Sequence, residues 1–283
     1  MVSAADFACI REFLRRRSGV VIDASKGYLV EARLLPVVRQ HRYSGLDALV
    51  GRIRQGGDTA LERDVINAMM THETSFFRDK SPFETVKKLL PELLERRSVS
   101  RHLTIWSAAA STGQEAYSLA MLLEEHFHAL LAGWRVRILA TDISDVVLER
   151  ARAGSYSELE VARGLPPDYR QKYFVPLLGR WSISQDCRKM VEFRQFNLTG
   201  SWQGIPACDI IFLRNVLIYF DIPTRKTIVE RMRTVLRPDG SLFIGGAETL
   251  LGVTDTFDRL DGVGCGYYRP KAGREPAAGP ARH

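Results

Sequence analysis

No apolar run in this chain of 283 residues approaches the ~18 that would predict a membrane-crossing helix. The opening MVSAADFACIREFLRRR mixes acids with arginines and has no apolar core. No secretory signal is therefore expected, and a cytoplasmic location is. Cysteine is scarce: Cys9, Cys187, Cys208 and Cys265 are scattered without a C-x-x-C pair. That usage reads as reduced structural thiols, and His126 and His128, two apart on a predicted helix, diverge. No metal is expected. Glycine is sparse where nucleotide-binding proteins concentrate it, with Gly113 alone in the stretch WSAAASTGQEAYSLAM (106–121).

Positive charge is plentiful. The net charge is +7, and Arg11 to Arg54 holds ten Lys or Arg against four Asp or Glu. A surplus of that sign favours an acidic partner. Hydrophobic residues make up 45%, enough to bury a sizeable core, and the length suits two domains.

Residues 1–95 read as a small all-helical N-terminal domain. Ser3 with Asp6, Ser44 with Asp47, and Asp58 mark helix starts. Stripes at helical spacing follow: Phe7, Ile10, Phe13 and Leu14, then Leu46, Leu49, Val50 and Ile53, then Leu61, Val65, Ile66 and Met69. Pro82 and Pro91 punctuate the way out. From 96 to 271 the pattern alternates. Strands are predicted at 103–108, 136–141, 191–196, 209–213 and 241–245, with helices after Gly113, after Ser144 and from Pro223. Such alternation predicts an α/β domain with a doubly wound, mainly parallel sheet whose ligand lies at the carboxyl ends of the strands. Residues 176–190 have poor periodicity and read as a short hairpin-like insertion. The tail 272–283, rich in Ala, Gly and Pro, reads as disordered.

The small residues after the first strand let backbone N–H groups approach a ligand. A dinucleotide site would have G-x-G-x-x-G there, and the helix mouth would receive a phosphate. Here Glu115 stands at that mouth, which repels phosphate and attracts a cation. Asp142 closes the second strand, where an acid grips a ribose. A nucleoside with a cationic, phosphate-free tail fits both, and S-adenosylmethionine is such a molecule.

THETSFFRD (71–79), IWSAAASTGQEAYSLAM (105–121), ILATDIS (138–144), VEFRQFNL (191–198) and LRNVLIYFD (213–221) occur in the order of the CheR family. RPDG with SLFIGGAE (237–248) and GYYRPK (266–271) extend the resemblance over roughly residues 5 to 271. Members of that family are chemotaxis methyltransferases that esterify receptor glutamates, using S-adenosylmethionine and releasing S-adenosylhomocysteine. The resemblance implies that His72, Thr74, Arg78, Glu115, Asp142, Asn197, Leu198, Arg214 and Asn215 hold the cofactor. Glu115 would take its amino group, Asp142 its ribose, and Asn197 with Leu198 its adenine. Arg78 and Tyr219 would be the catalytic pair. It further implies a monomer that meets the acidic helices of a receptor through the basic helical domain, without nucleic acid and without membrane insertion. The shortness of the 176–190 insertion leans against tethering of a receptor's terminal peptide.

The chain departs from the family pattern at three places. His72 stands where Asn is usual, Gln114 and Ala116 flank Glu115, and Gly246-Ala247-Glu248 replaces Gly-His-Ser-Glu. Those changes leave open a non-catalytic module that binds cofactor for signalling. A nucleic-acid methyltransferase is the other alternative. It lacks its motif, since RNVL stands where D/N-P-P-Y would follow the fourth strand, Leu165–Tyr169 lies away from any strand end, and Pro206-Ala207-Cys208 misses the Pro-Cys spacing.

Overall fold

Ser3 Oγ accepts a hydrogen bond from the Asp6 N–H and opens α1 (Ala4–Ser18), which stops at Gly19 in the left-handed region, φ 75°. This capped start belongs to a computed structural model that describes residues 2–272. All but the first residue of the tail expected to be disordered lies outside that range. A turn of 3-10 helix leads into α2 (Gly27–Gln40), followed by α3 (Leu46–Gln55) and α4 (Thr59–Met69). Asp58 caps α4 through the Leu61 N–H, as its sequence suggested. Ser44 does not cap α3: Gly45 occupies that position without a side-chain bond. α2 has no clean start signal, because Lys26 precedes it without capping and Pro36 interrupts its interior.

The two prolines read as punctuation both lie inside α5 (Ser81–Arg96). Pro82 sits in the first turn, where its missing N–H costs nothing, and Pro91 in the body. Phe83, Val86, Leu90, Leu93 and Leu94 of α5 share a core with the sheet.

The sheet region runs β1 (His102–Ala108), α6 (Gln114–Phe127), β2 (Arg135–Asp142), α7 (Asp145–Ala153) and β3 (Ser155–Tyr156). It continues through α8 (Glu158–Ala162), α9 (Pro167–Tyr173), β4 (Phe174–Leu177), β5 (Arg180–Ile183), α10 (Gln185–Met190) and β6 (Val191–Gln195). β7 (Cys208–Leu213), α11 (Ile222–Val235), β8 (Leu236–Ile244), β9 (Phe257–Asp261) and β10 (Gly266–Pro270) complete it. Seven strands lie in the order β6-β2-β1-β7-β8-β10-β9. The first five are parallel, and β10 is antiparallel to both β8 and β9. The chain steps outward from β1 to β6, then returns to place β7 on the other side of β1. The order therefore reverses between β1 and β7, where such sheets bind ligands.

Alternate side chains feed two cores. Trp106, Ala108, Ile211, Leu213, Leu242 and Ile244 face α11 and the helical domain. Leu103, Ile105, Ile210, Phe212 and Phe243 face α5 and α6. The expected insertion is a β4–β5 hairpin turning at Leu178 and Gly179, both at positive φ. It reaches further back than the periodicity suggested, since β3 pairs with β5 and makes a three-stranded antiparallel sheet. Among the described residues no helix is long and apolar enough to cross a membrane.

Candidate active site

β1 leaves the sheet through Ala109 and Ser111, both at positive φ (64° and 51°), and enters α6 at Gly113, φ 92°. Non-glycine residues adopt that region at a cost that rises with side-chain bulk, so small residues suit the turn. The turn is also pressed against its neighbours. Ala110 N donates to Thr141 O (2.8 Å), Ser111 N to Asp142 Oδ2 (2.9 Å), and Tyr156 Oη to Thr112 O (2.8 Å). A Cβ on Gly113 would stand 3.0 Å from Ala151 Cβ and 3.2 Å from the Phe193 ring. The run of tiny side chains thus serves a tight backbone as well as an open approach.

Glu115, in the first turn of α6, is not the bare acid its position suggested. Ser107 Oγ donates to its Oε1 (2.7 Å) and Arg214 Nη1 to its Oε2 (2.9 Å). The two oxygens still have acceptor capacity left. Arg214 is almost wholly buried and its other terminal nitrogen donates to Arg78 O (2.9 Å) and Asp79 Oδ2 (2.6 Å). It ties the end of β7 to α6 and to the segment between the helical region and the sheet.

Asp142 ends β2 deeply buried, with Ser111 N donating to Oδ2 and Ser144 N to Oδ1 (3.0 Å). Burial raises its pKa, while those N–H bonds and nearby His72 pull the other way. Burial likewise lowers the pKa of His72, with Asp142 opposing. The His72 carbonyl accepts from Ser111 Oγ (2.8 Å), so the interdomain segment is laced to the loop after β1.

Asn197 spends its side chain elsewhere. Nδ2 donates to Arg17 O (2.8 Å) in the helical domain, and Oδ1 accepts from the N–H and hydroxyl of Thr199. Leu198 beside it is buried, and its carbonyl accepts from Trp202 Nε1 (2.9 Å). Arg78 donates only to Glu73 O (3.0 Å) among the described residues, and the Tyr219 hydroxyl makes no hydrogen bond among them.

One cavity collects all of these groups. His72, Thr74, Arg78, Glu115, Asp142, Asn197, Leu198, Arg214, Asn215 and Tyr219 line it, at the carboxyl ends of β1, β2 and β7. Its volume is about 1010 Å³ counting the open mouth. Ser18, Val20, Met69 and Met70 add a wall from the helical domain, which the sequence pattern did not single out. Their signal is only that they follow or close α1 and α4. Ser107, Ser111 and Asp79 were also missed as partners, because their roles depend on contacts far along the chain. Phe76 and Phe77 pack into the sheet core, against Tyr156, Phe174, Phe83 and Tyr169, and do not line the cavity. Cys208 lies away from the cavity, and burial pushes its thiol up to about 12, which leaves it a poor nucleophile. Among the described residues no group of three or more His, Cys, Asp or Glu is placed to hold a metal.

A doubly wound sheet with a close-backed loop after β1 and an acid after β2 defines a nucleoside-binding α/β enzyme. Two family models match the chain: the CheR methyltransferase all-alpha domain at residues 5–70 and the CheR methyltransferase SAM-binding domain at residues 72–263. The chain belongs to the CheR methyltransferase family and is an S-adenosylmethionine-dependent methyltransferase. It is 41% identical to chemotaxis protein methyltransferase 1 of Pseudomonas aeruginosa, over 94% of this chain and 98% of that one. It is 40% identical to chemotaxis protein methyltransferase Cher2 of Pseudomonas putida, over 90% and 94%. With chemotaxis protein methyltransferase 1 of Vibrio cholerae the identity is 38%, over 92% and 94%.

Proposed function

We propose that this methyltransferase esterifies glutamate side chains on the cytoplasmic helices of methyl-accepting chemoreceptors, working in the cytoplasm as a monomer. One observation carries the reading. Of the polar groups at the cavity, Arg214, Asn197 and Asp142 are engaged within the chain, while among the described residues the Arg78 guanidinium and the Tyr219 hydroxyl, like the side chains of Thr74 and Asn215, retain uncommitted donors. Of these, a cationic guanidinium and a phenol beside a cofactor suit an incoming carboxylate.

When bound, the cofactor supplies a methyl group made electrophilic by its sulfonium. The residues fit it: spare acceptor capacity on Asp142 suits ribose hydroxyls, and Glu115 suits an amino group. Ile143, Phe196 and Leu198 offer an apolar wall for a base. A glutamate with its ordinary pKa near ~4.3 is already ionised at neutral pH, so no general base is required. Arg78 and Tyr219 then desolvate and aim one carboxylate oxygen, leaving the other free to react. Orientation of this kind supplies on the order of 7–11 kcal/mol. Within this reading we divide the chain as the family models do. Residues 5–70 dock the receptor and residues 72–263 carry out transfer, with α5 in the second unit.

The test is incubation with methyl-labelled S-adenosylmethionine, membranes carrying a methyl-accepting chemoreceptor, and RNA. Label on the receptor that mild base releases as methanol is expected. Label on RNA, or base-stable label on protein, would overturn the proposal.

A further inference from the structure

β7 and β8 end side by side, with Leu213 in register with Ile244. The turn after β7 carries Arg214, Asn215 and the 3-10 segment Leu217–Tyr219, and the loop after β8 carries Glu248. Glu248 turns its carboxylate back onto the neighbouring turn. Oε2 accepts from Gly245 N (2.6 Å) and Asn215 N (2.8 Å), and Oε1 accepts from Ile218 N (3.3 Å). A single anion thus occupies a nest of three backbone N–H groups, an arrangement that charge strengthens. Asn215 is held at positive φ (57°), a conformation that persists only where the surroundings enforce it. Space for the clasp is limited: a Cβ on Gly245 would stand 2.7 Å from Glu248 Oε2 and 2.9 Å from Asn215 N.

The gripped positions adjoin the working residues. Asn215 follows Arg214, which holds Glu115, and Ile218 precedes Tyr219. Glu248 itself does not line the cavity. We infer that Glu248 is a positioning residue for methyl transfer, whose carboxylate sets the turn after β7 so that the Tyr219 hydroxyl faces the incoming glutamate. The inference rests on the proposed role of Tyr219. It also explains how the chain keeps a working turn although Gly246 and Ala247 stand beside Glu248 where the family usually has His and Ser.

Glu248→Gln is the test, because it keeps size and one acceptor but sets an NH2 against one of the gripped N–H groups. Initial rates would be measured on chemoreceptor membranes, and S-adenosylhomocysteine affinity by calorimetry. The expected result is a kcat about tenfold or more below wild type, with cofactor affinity within about threefold. The same substitution is then made in a Tyr219→Phe background, where it should cost less than about threefold, since two residues acting as a unit are not additive. Glu248→Asp, which keeps the charge, should recover part of the rate. Wild-type kcat in E248Q, equal loss of rate and cofactor affinity, or full additivity with Y219F would each overturn the inference. Normal turnover in E248Q with a crippled Y219F would sink this inference alone. Normal turnover in Y219F would remove the role of Tyr219 as well.

Discussion

Arg78 and Arg214 show how two arginines in one cavity come to different uses. Arg214 is buried against Glu115 and Asp79 and would leave unpaired acids if removed; Arg78 keeps donors in reserve. Arg78→Ala should therefore lower kcat about 10²-fold, the scale of losing one preorganised donor, while cofactor affinity stays near wild type. Tyr219→Phe should lower kcat with the same insensitivity of binding; calorimetry beside initial-rate assays would show the split. His72 makes a second prediction at this scale. Burial holds its pKa below the ordinary value of about 6.5, so as pH falls through that value the unfolded chain takes up a proton before the folded chain does. The stability that neutral His72 contributes is complete above about pH 6.5 and is lost as pH falls toward its folded value. Urea midpoints from pH 7.5 to 5.5 should fall more steeply for wild type than for His72→Asn.

At the scale of elements, strongly periodic stretches were legible. The stripes of α1, α3 and α4 and the apolar runs of β1, β2 and β7 have one period each and bury what that period predicts. α2 and β9 escaped notice because neither is decided locally. α2 is uncapped and carries a proline, and β9, Phe-Asp-Arg-Leu-Asp, is a charged edge strand that exists by pairing with β10. α5 absorbed Pro91 because its face is buried on the sheet, a tertiary gain that overrides local propensity, while Pro82 in the first turn needs no such offset. The loop from Ala109 to Gly113 is the element on which the site turns. Gly113→Ala places a side chain at φ 92° against Ala151 and Phe193. It should destabilise the fold by about 1–3 kcal/mol, measured by urea unfolding, and weaken cofactor binding.

Across the whole molecule, the helical domain is part of the cavity wall as well as the proposed docking face. Arg15 pairs with Asp221 (3.5 Å), Asn197 reaches Arg17 O, and Val21 N donates to Tyr219 O (2.8 Å). The basic surplus sorts accordingly. Arg15, Arg17, Arg52 and Arg54 are ion-paired, and Arg33 donates to Met69 O (2.6 Å) and Thr71 Oγ1 (3.1 Å). Arg16, Lys26, Arg39 and Arg42 have no ion pair among the described residues. Charge should therefore act on a receptor through this second set. The Arg16→Glu/Arg42→Glu double variant should raise KM for receptor membranes several-fold and flatten its dependence on salt. Cofactor affinity measured by calorimetry should not change. Loss of both would mean a damaged fold and no docking role.

Resemblance to the CheR family pointed to the other groups named on the cavity; the linear order of residues itself determined the class of the sheet, the small loop at its first exit and the acids Glu115 and Asp142 beside it. Those are properties of spacing and residue type, and they survive without knowledge of contacts. Which groups are free and which are spent was decided only by tertiary structure, since Glu115 meets Arg214 across 99 positions and Asn197 meets Arg17 across 180. The chemistry proposed for Arg78 and Tyr219 is what remains after those distant partners have been satisfied, because a buried polar group must find a partner and the fold alone says which one is near.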